Sequence, residues 1–196
     1  MDEIVLRSIA KWPNVPSVYG WLALDRRGNW RIKTAGGRFE RIANASVSEF
    51  IGRNYAADSE GRWFFQNGPQ RVYVSLDYTP WVYRLDDGGS ALVAHNRAIP
   101  RAFEGAFLDE TGALLLESDL GIGVLLDRDL SAVLEAAARA SGGDAGLLIE
   151  AALRGDATRI ALPGAAVALA PIQSRDVPRR FGFVPRPAPP PGESEC

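Results

Sequence analysis

Between Gln66 and Arg84 the chain carries, in close succession, the groups that recognition of a planar anion requires. Gln66 and Asn67 stand at an Asn-Gly-Pro turn, Arg71 and Tyr73 follow two residues apart, and Trp81 and Arg84 come next. Read as a strand, Gln70–Leu76 places Val72, Val74 and Leu76 on one face and Arg71, Tyr73 and Ser75 on the other. The apolar set belongs in a core. The opposite set offers a guanidinium for phosphate or carboxylate and a ring for stacking, while the neighbouring amides offer donors and acceptors. Gln66, Asn67, Arg71, Tyr73, Trp81 and Arg84 are therefore the candidate ligand-binding residues. The same side chains also suit a cross-strand ladder in which arginines cover aromatic faces for packing alone.

Other chemistry is sparse. His95, in AHNRAIP, is the sole histidine and Cys196 the sole cysteine, which removes Cys/His zinc patterns and every nucleophile–histidine pair not built on His95. A loop histidine in solvent is the plain expectation for His95, although a base there could act on a bound ligand. Cys196, at the end of the chain, is expected to be exposed and open to cross-linking that imitates a dimer. Gly121-Ile122-Gly123 completes no dinucleotide-binding fingerprint and reads as a turn entering a strand. Asp127 and Asp129 have the spacing of metal-binding carboxylates but read as capping residues of a helix N-terminus. No catalytic set, metal or cofactor is expected, and an enzyme is the least supported function class.

The elements that must position these residues are legible in turns. Leu24–Trp30, Ala57–Trp63 and Leu108–Leu114 share the form apolar-Asp-x-x-Gly-x-(Trp or Leu), with Leu85–Ala91 a looser copy. Asp accepts backbone hydrogen bonds at the start of such a turn, and Gly takes the left-handed conformation that returns the chain. These are hairpin tips. A calcium loop is disfavoured because each offers too few carboxylates.

The pattern also repeats at long range. Asp25, Gly28, Trp30 and Ile32 recur as Asp109, Gly112, Leu114 and Leu116, each 84 positions on. A helix follows each turn: one opening with a capping box at Ser46-Val47-Ser48-Glu49, the other beginning near Asp129 and running to Ala140. Three strand-like segments follow each helix: Trp63–Gln66, Gln70–Leu76 and Trp81–Leu85, then Gly146–Ile149, Thr158–Leu162 and Ala165–Ala170. Gly146–Arg154 fits a helix as well as a strand. The expected fold is α+β, a tandem duplication of a hairpin-helix-meander unit with antiparallel sheets. Its parts are an N-terminal helix and entry (1–17), an aromatic-rich repeat (18–98), an Ala/Leu-rich repeat (99–172) and a flexible proline-rich tail (173–196). All five Trp and all five Tyr precede residue 84, so the first repeat carries larger side chains than packing demanded of the second. The tail holds six of the 13 prolines between Asp176 and Cys196 and is expected to add nothing to the core, unless RRFGFV docks back as a strand.

LDRRGNWRI, the SVSEFI helix and GRWFFQNGPQRVYVSLDYTPWVYRL, with its apolar-acidic-x-x-Pro ending, resemble proteobacterial families of domains of unknown function. The resemblance covers about residues 18–172. It implies a duplicated α+β fold, a nucleotide-like ligand at the interface between the copies and a role in signalling. Such families define no catalytic residues, so none is carried over.

Composition bounds the partners. The 196 residues hold 22 Lys and Arg against 24 Asp and Glu, a net charge of −2. Residues 1–98 carry 13 basic against 10 acidic groups (+3), and residues 99–196 carry 9 against 14 (−5). Neither half has the basic excess of a phosphate-tracking surface, so a nucleic-acid partner is not expected. The preponderance of Arg, 20 against two Lys, reads as a compositional bias rather than a site. No run of about 18 apolar residues occurs and the acidic start lacks a signal layout, so a cytoplasmic location without membrane contact is expected. The expected function is a non-catalytic module that binds or senses a nucleotide-like small molecule. The alternative is a protein-interaction module using the aromatic hairpins and proline-rich tail, and a homodimer is the remaining partner to consider.

Overall fold

The computed structural model describes residues 1–191; Cys196 and the last part of the expected tail lie outside the described residues. The chain forms two compact units, Met1–Pro80 joined by the segment from Gly182, and Trp81–Phe181.

The first unit opens with helix α1 (Glu3–Lys11), followed by strands β1 (Val18–Leu24), β2 (Trp30–Lys33) and β3 (Phe39–Arg41), helix α2 (Ala45–Arg53), and strands β4 (Tyr55–Ala57), β5 (Trp63–Asn67) and β6 (Gln70–Leu76). They make one six-stranded sheet of order β3-β2-β1-β6-β5-β4. One face of this sheet is closed by Leu22, Leu24, Trp30, Tyr55, Phe65, Val74 and Leu76 together with Ile51 of α2, all buried. The cap of α2 is Asn44, whose side chain accepts from Val47 N at 3.1 Å. The capping box expected at Ser46 therefore sits two residues too late, because Asn is as good a cap as Ser and comes first.

The second unit contains β7 (Trp81–Leu85), β8 (Leu92–Ala94), β9 (Phe103–Asp109), β10 (Leu114–Ser118), β11 (Gly121–Leu125), helices α3 (Asp127–Ser141) and α4 (Ala145–Arg154), β12 (Thr158–Leu162), β13 (Ala165–Ile172) and the short helix α5 (Val177–Arg180). Its seven-stranded sheet has the order β12-β13-β9-β10-β11-β7-β8. The core is largely aliphatic, with Leu114, Leu115, Leu116, Val124, Leu125 and Ile160 buried along with Tyr83, whose ring meets Phe103 edge-on at 5.8 Å.

The two orders share one arrangement, β3-β2-β1-β6-β5 in the first unit and β11-β10-β9-β13-β12 in the second. Each is an antiparallel three-stranded run followed by a helical crossover, and the last strand returns parallel to the first, β6 on β1 and β13 on β9. Parallel pairing needs such a crossover, which α2 and α3–α4 supply. The sheets are thus mixed rather than antiparallel throughout.

Two strand assignments are corrected. The first repeat's last strands are β4, β5 and β6, whereas Trp81–Leu85 joins the second sheet, Trp81 pairing with Gly123 and Tyr83 with Leu125. The reason is at Gly123, where a Cβ would lie 2.5 Å from the Tyr83 ring and 2.8 Å from Trp81 Cβ: the missing side chain makes room for β7. Gly121-Ile122-Gly123 is therefore a packing device within a strand. The second correction is at Gly146–Ile149, which is helical. Asp144 caps α4 by accepting from Gly146 N and Leu147 N, and Gly155 ends it at φ 81°.

The hairpin tips form as their pattern predicts. Asp25 Oδ1 accepts from Arg27 N and Asn29 N, Asp58 Oδ1 from Glu60 N and Arg62 N, and Asp109 Oδ1 from Thr111 N and Ala113 N. Gly28, Gly61 and Gly112 follow at φ 74–81°. The tail departs from expectation. Val177 in α5 is wholly buried and Phe183 nearly so, Val184 N donates to Gly61 O, and Leu76 N donates to Pro185 O. Pro178 fits in the first turn of α5, where no helical N–H partner is required, so proline does not forbid this helix. The RRFGFV segment docks back, with Val184 bridged to Arg62.

Candidate functional site

Of the six candidate residues, Gln66, Asn67, Arg71 and Tyr73 belong to the first unit, and Trp81 and Arg84 to the second. The register of β5 and β6 brings the first four together. Gln66 pairs with Arg71, Asn67 with Gln70, and Phe64 with Tyr73 across the Gly68-Pro69 tip. Arg71, Tyr73, Gln66 and Phe64 therefore share one face of the sheet, the face opposite Val74 and Leu76.

That face is not an open row of side chains. Tyr73 is only 3% exposed, its ring stacked on Tyr19 at 4.6 Å and 9° and meeting Phe64 edge-on at 6.0 Å. Tyr73 is thus a packed ring rather than a free stacking surface. Gln66 is buried too, its Nε2 donating to Gly68 O at 2.9 Å, so this amide shapes the hairpin tip. Asn67 is exposed at the same tip.

Two guanidiniums lie on this aromatic pair, and they differ. Arg62 sits 5.1 Å from the Tyr73 centroid, its Nε donates to Asp58 Oδ2 at 2.8 Å and its Nη1 is 2.9 Å from Glu60 Oε2. Arg71 sits 4.6 Å from the Phe64 centroid, is exposed, and meets no carboxylate among the described residues. One charge is satisfied internally. The other lies over a ring at an exposed position and also acts on the Tyr73 hydroxyl through a side-chain hydrogen bond.

Asp58 ties the face together. Its Oδ2 accepts from the Tyr73 hydroxyl at 3.0 Å as well as from Arg62. Burial works to raise the Asp58 pKa, but hydrogen bonds from Arg62, from the backbone and from Tyr73 outweigh it and hold the carboxyl below its ordinary range. Burial, and then the bond to Asp58, push the Tyr73 hydroxyl upward, against the opposing effect of Arg71. Asp58, Arg62, Phe64 and Tyr19 were not among the candidates. Their signal lay in register: with the Asn-Gly-Pro tip as the turn, Phe64 must face Tyr73, and the Asp58 turn must deliver Arg62 beside it.

In the second unit, Trp81 is buried, and Arg84 Nη1 lies 3.4 Å from Leu85 O and 3.9 Å from Asp87 Oδ1. His95 is half-buried, not solvated: its Nδ1 accepts from Val82 N at 3.4 Å and its ring lies 5.7 Å from Trp81. Asp129 Oδ2 accepts from Leu85 N at 2.9 Å, fixing the end of β7. Leu126 is the N-cap of α3, so Asp127 and Asp129 sit in its first turn, where they favour the helix dipole rather than cap it. Among the described residues no three His, Cys, Asp or Glu side chains gather as metal ligands, and no helix is long and apolar enough to cross a membrane.

A family model described as "Protein of unknown function (DUF2946)" matches residues 1–188. The chain belongs to this family. The match runs through both units and through the docked RRFGFV segment. Among solved structures, a DUF1285 family protein from Silicibacter pomeroyi DSS-3 is similar at 15% identity, over 65% of this chain and 74% of that one, with a TM-score of 0.44. Among curated proteins no sequence match was found.

Proposed function

We propose that the protein is a non-catalytic module that binds, and thereby senses, a small nucleotide-like anion on the sheet face of its first unit. The observation that carries this reading is the contrast between Arg62 and Arg71. Both lie on the same aromatic pair, yet among the described residues only Arg62 has its charge met by carboxylates. A guanidinium resting 4.6 Å from the Phe64 centroid loses less freedom on binding than an unsupported one, which favours its fork of N–H donors for a phosphate. Asn67, exposed at the adjacent tip, supplies a donor and an acceptor for the rest of the ligand.

The test is a thermal-shift screen of the full chain against nucleoside mono- and triphosphates, cyclic nucleotides and inorganic phosphate. A ligand at 100 times its Kd adds about 2.7 kcal/mol, a rise of about 2–4 °C for a chain of this size. A specific nucleotide shift supports the proposal; a flat screen opposes it.

A second reading rests on α1. Ile4 is 66% exposed, and Leu6 and Trp12 are each 51% exposed, on a helix with a shallow groove of Ile4, Arg7, Ser8, Lys11 and Trp12. Apolar groups presented this way suit a protein partner. Loss of partner capture from lysate on Ile4→Ser with Trp12→Ser, with nucleotide shifts unchanged, would favour it.

A further inference from the structure

A cationic groove lies wholly in the second unit, at the end of β13. It has a volume of about 550 Å³ and is lined by Pro171, Ile172, Gln173, Asp176, Arg179 and Arg180. The segment that forms it is pinned at three points. Ser174 donates from its backbone N to Glu110 Oε2 at 2.8 Å and from its hydroxyl to Glu110 Oε1, Val177 is wholly buried, and Phe181 packs edge-on against Phe107 at 5.4 Å.

On this fixed turn the two arginines take different roles. Arg179 Nη2 lies 3.7 Å from Asp176 Oδ1. Arg180 meets no carboxylate among the described residues; its guanidinium lies 4.4 Å from the Phe107 centroid and 5.6 Å from that of Phe181. Two guanidiniums against one carboxylate leave the lining with a single positive charge, which matches a monoanion better than a phosphate dianion. Pro171 adds exposed apolar surface beside the buried Ile172, and the exposed Gln173 amide adds a hydrogen-bonding group. The volume is within the range of small-molecule sites.

We propose that this groove binds a small carboxylic acid, its carboxylate held bidentately by Arg180, its apolar body on Pro171, and Gln173 bonded to its polar edge. The site is independent of the Arg71 face and stands or falls separately from it. Neither requires the other to be occupied.

Benzoate is the probe, titrated into the ¹⁵N-labelled full chain and followed by two-dimensional NMR, with inorganic phosphate as the comparison. The Gln173 side-chain amide and Arg180 Nε–H resonances are expected to move together and to saturate with benzoate, with phosphate weaker. Arg180→Lys keeps the cation beside Phe107 but loses the planar fork, and is expected to weaken benzoate by about tenfold. Arg179→Gln removes one positive charge from the lining but leaves the fork of Arg180 in place, and is expected to weaken benzoate by clearly less than Arg180→Lys, because Asp176 already engages that side chain. Absence of a saturable shift, phosphate binding ahead of benzoate, or equal loss in the two arginine variants would overturn the proposal. Should Arg180→Lys lower the thermal midpoint, Gln173→Ala at an exposed position takes its place, and unchanged benzoate affinity there counts against the site.

Discussion

The hydroxyl of Tyr73 donates to Oδ2 of Asp58 at 3.0 Å, linking the second strand of one hairpin to the turn of another. The same oxygen accepts from Arg62, so one carboxylate orients both the ring and the guanidinium that covers it. Phe64 and Arg71 continue this layer toward the hairpin tip. The candidate site therefore stands on a rigid support, and its parts can be separated by substitution.

Removing the hydroxyl separates support from binding. Tyr73→Phe keeps the stack on Tyr19 but withdraws one donor from a carboxylate whose side chain is 8% exposed. Urea denaturation should show a loss of about 1–2 kcal/mol, with ligand affinity at Arg71 nearly unchanged. A loss of affinity exceeding the loss of stability would place Tyr73 in direct contact with ligand.

The same carboxylate predicts a pH dependence. Asp58 has a folded pKa below that of the unfolded chain, so its contribution is fully present above about pH 4 and fades as pH falls through the lower folded value. Asp58→Asn should be less stable than wild type near pH 7 and should lose less on acidification to about pH 3. Parallel stability curves for the two proteins across that interval would contradict the assignment.

Gly61 and Gly112 occupy equivalent turns at φ 74° and 81°, but their surroundings differ. A Cβ on Gly112 meets nothing within 4 Å, whereas one on Gly61 would lie 2.0 Å from Gly182 O. Gly112→Ala should cost about 1 kcal/mol of backbone strain. Gly61→Ala should cost more and should expose the segment around Phe183 to protease, which Gly112→Ala should not. Equal costs without cleavage would mean that the docked segment contributes nothing.

Gly123→Ala tests the seating of β7. The added methyl meets the Tyr83 ring and Trp81 Cβ at under 3 Å, a clash of large, fixed groups. A destabilisation of about 1–3 kcal/mol, visible in the thermal midpoint, is expected. Wild-type stability would show that β7 yields easily.

What the sequence reveals of this fold follows local chemistry. The Asp25, Asp58 and Asp109 turns are legible because each turn satisfies its own backbone with its own carboxylate and glycine. The 84-residue shift from Asp25 to Asp109 is likewise matched by the shared strand order of the sheets. Partners distant in sequence are less legible. Trp81–Leu85 has a strand's pattern, but only the space left by Gly123 decides which sheet receives it. Gly146–Arg154 alternates as well as it spirals, and its ends at Asp144 and Gly155 settle the matter. At the candidate site, alternation placed Arg71 and Tyr73 on one face correctly. It could not show that Tyr19 and Asp58, from 54 and 15 positions away, enclose the ring and leave Arg71 as the open charge.

The most direct measurement is calorimetric titration of the best nucleotide from the screen into wild-type protein, Arg71→Ala and Arg62→Ala. If Arg71 carries the charge for the ligand, Arg71→Ala loses at least about tenfold in affinity at a nearly unchanged thermal midpoint, since its side chain is exposed and meets no carboxylate among the described residues. Arg62→Ala instead lowers the midpoint, because it strips the nearly buried carboxylate of Asp58 of a partner. Nucleotide affinity that survives Arg71→Ala intact would contradict the account.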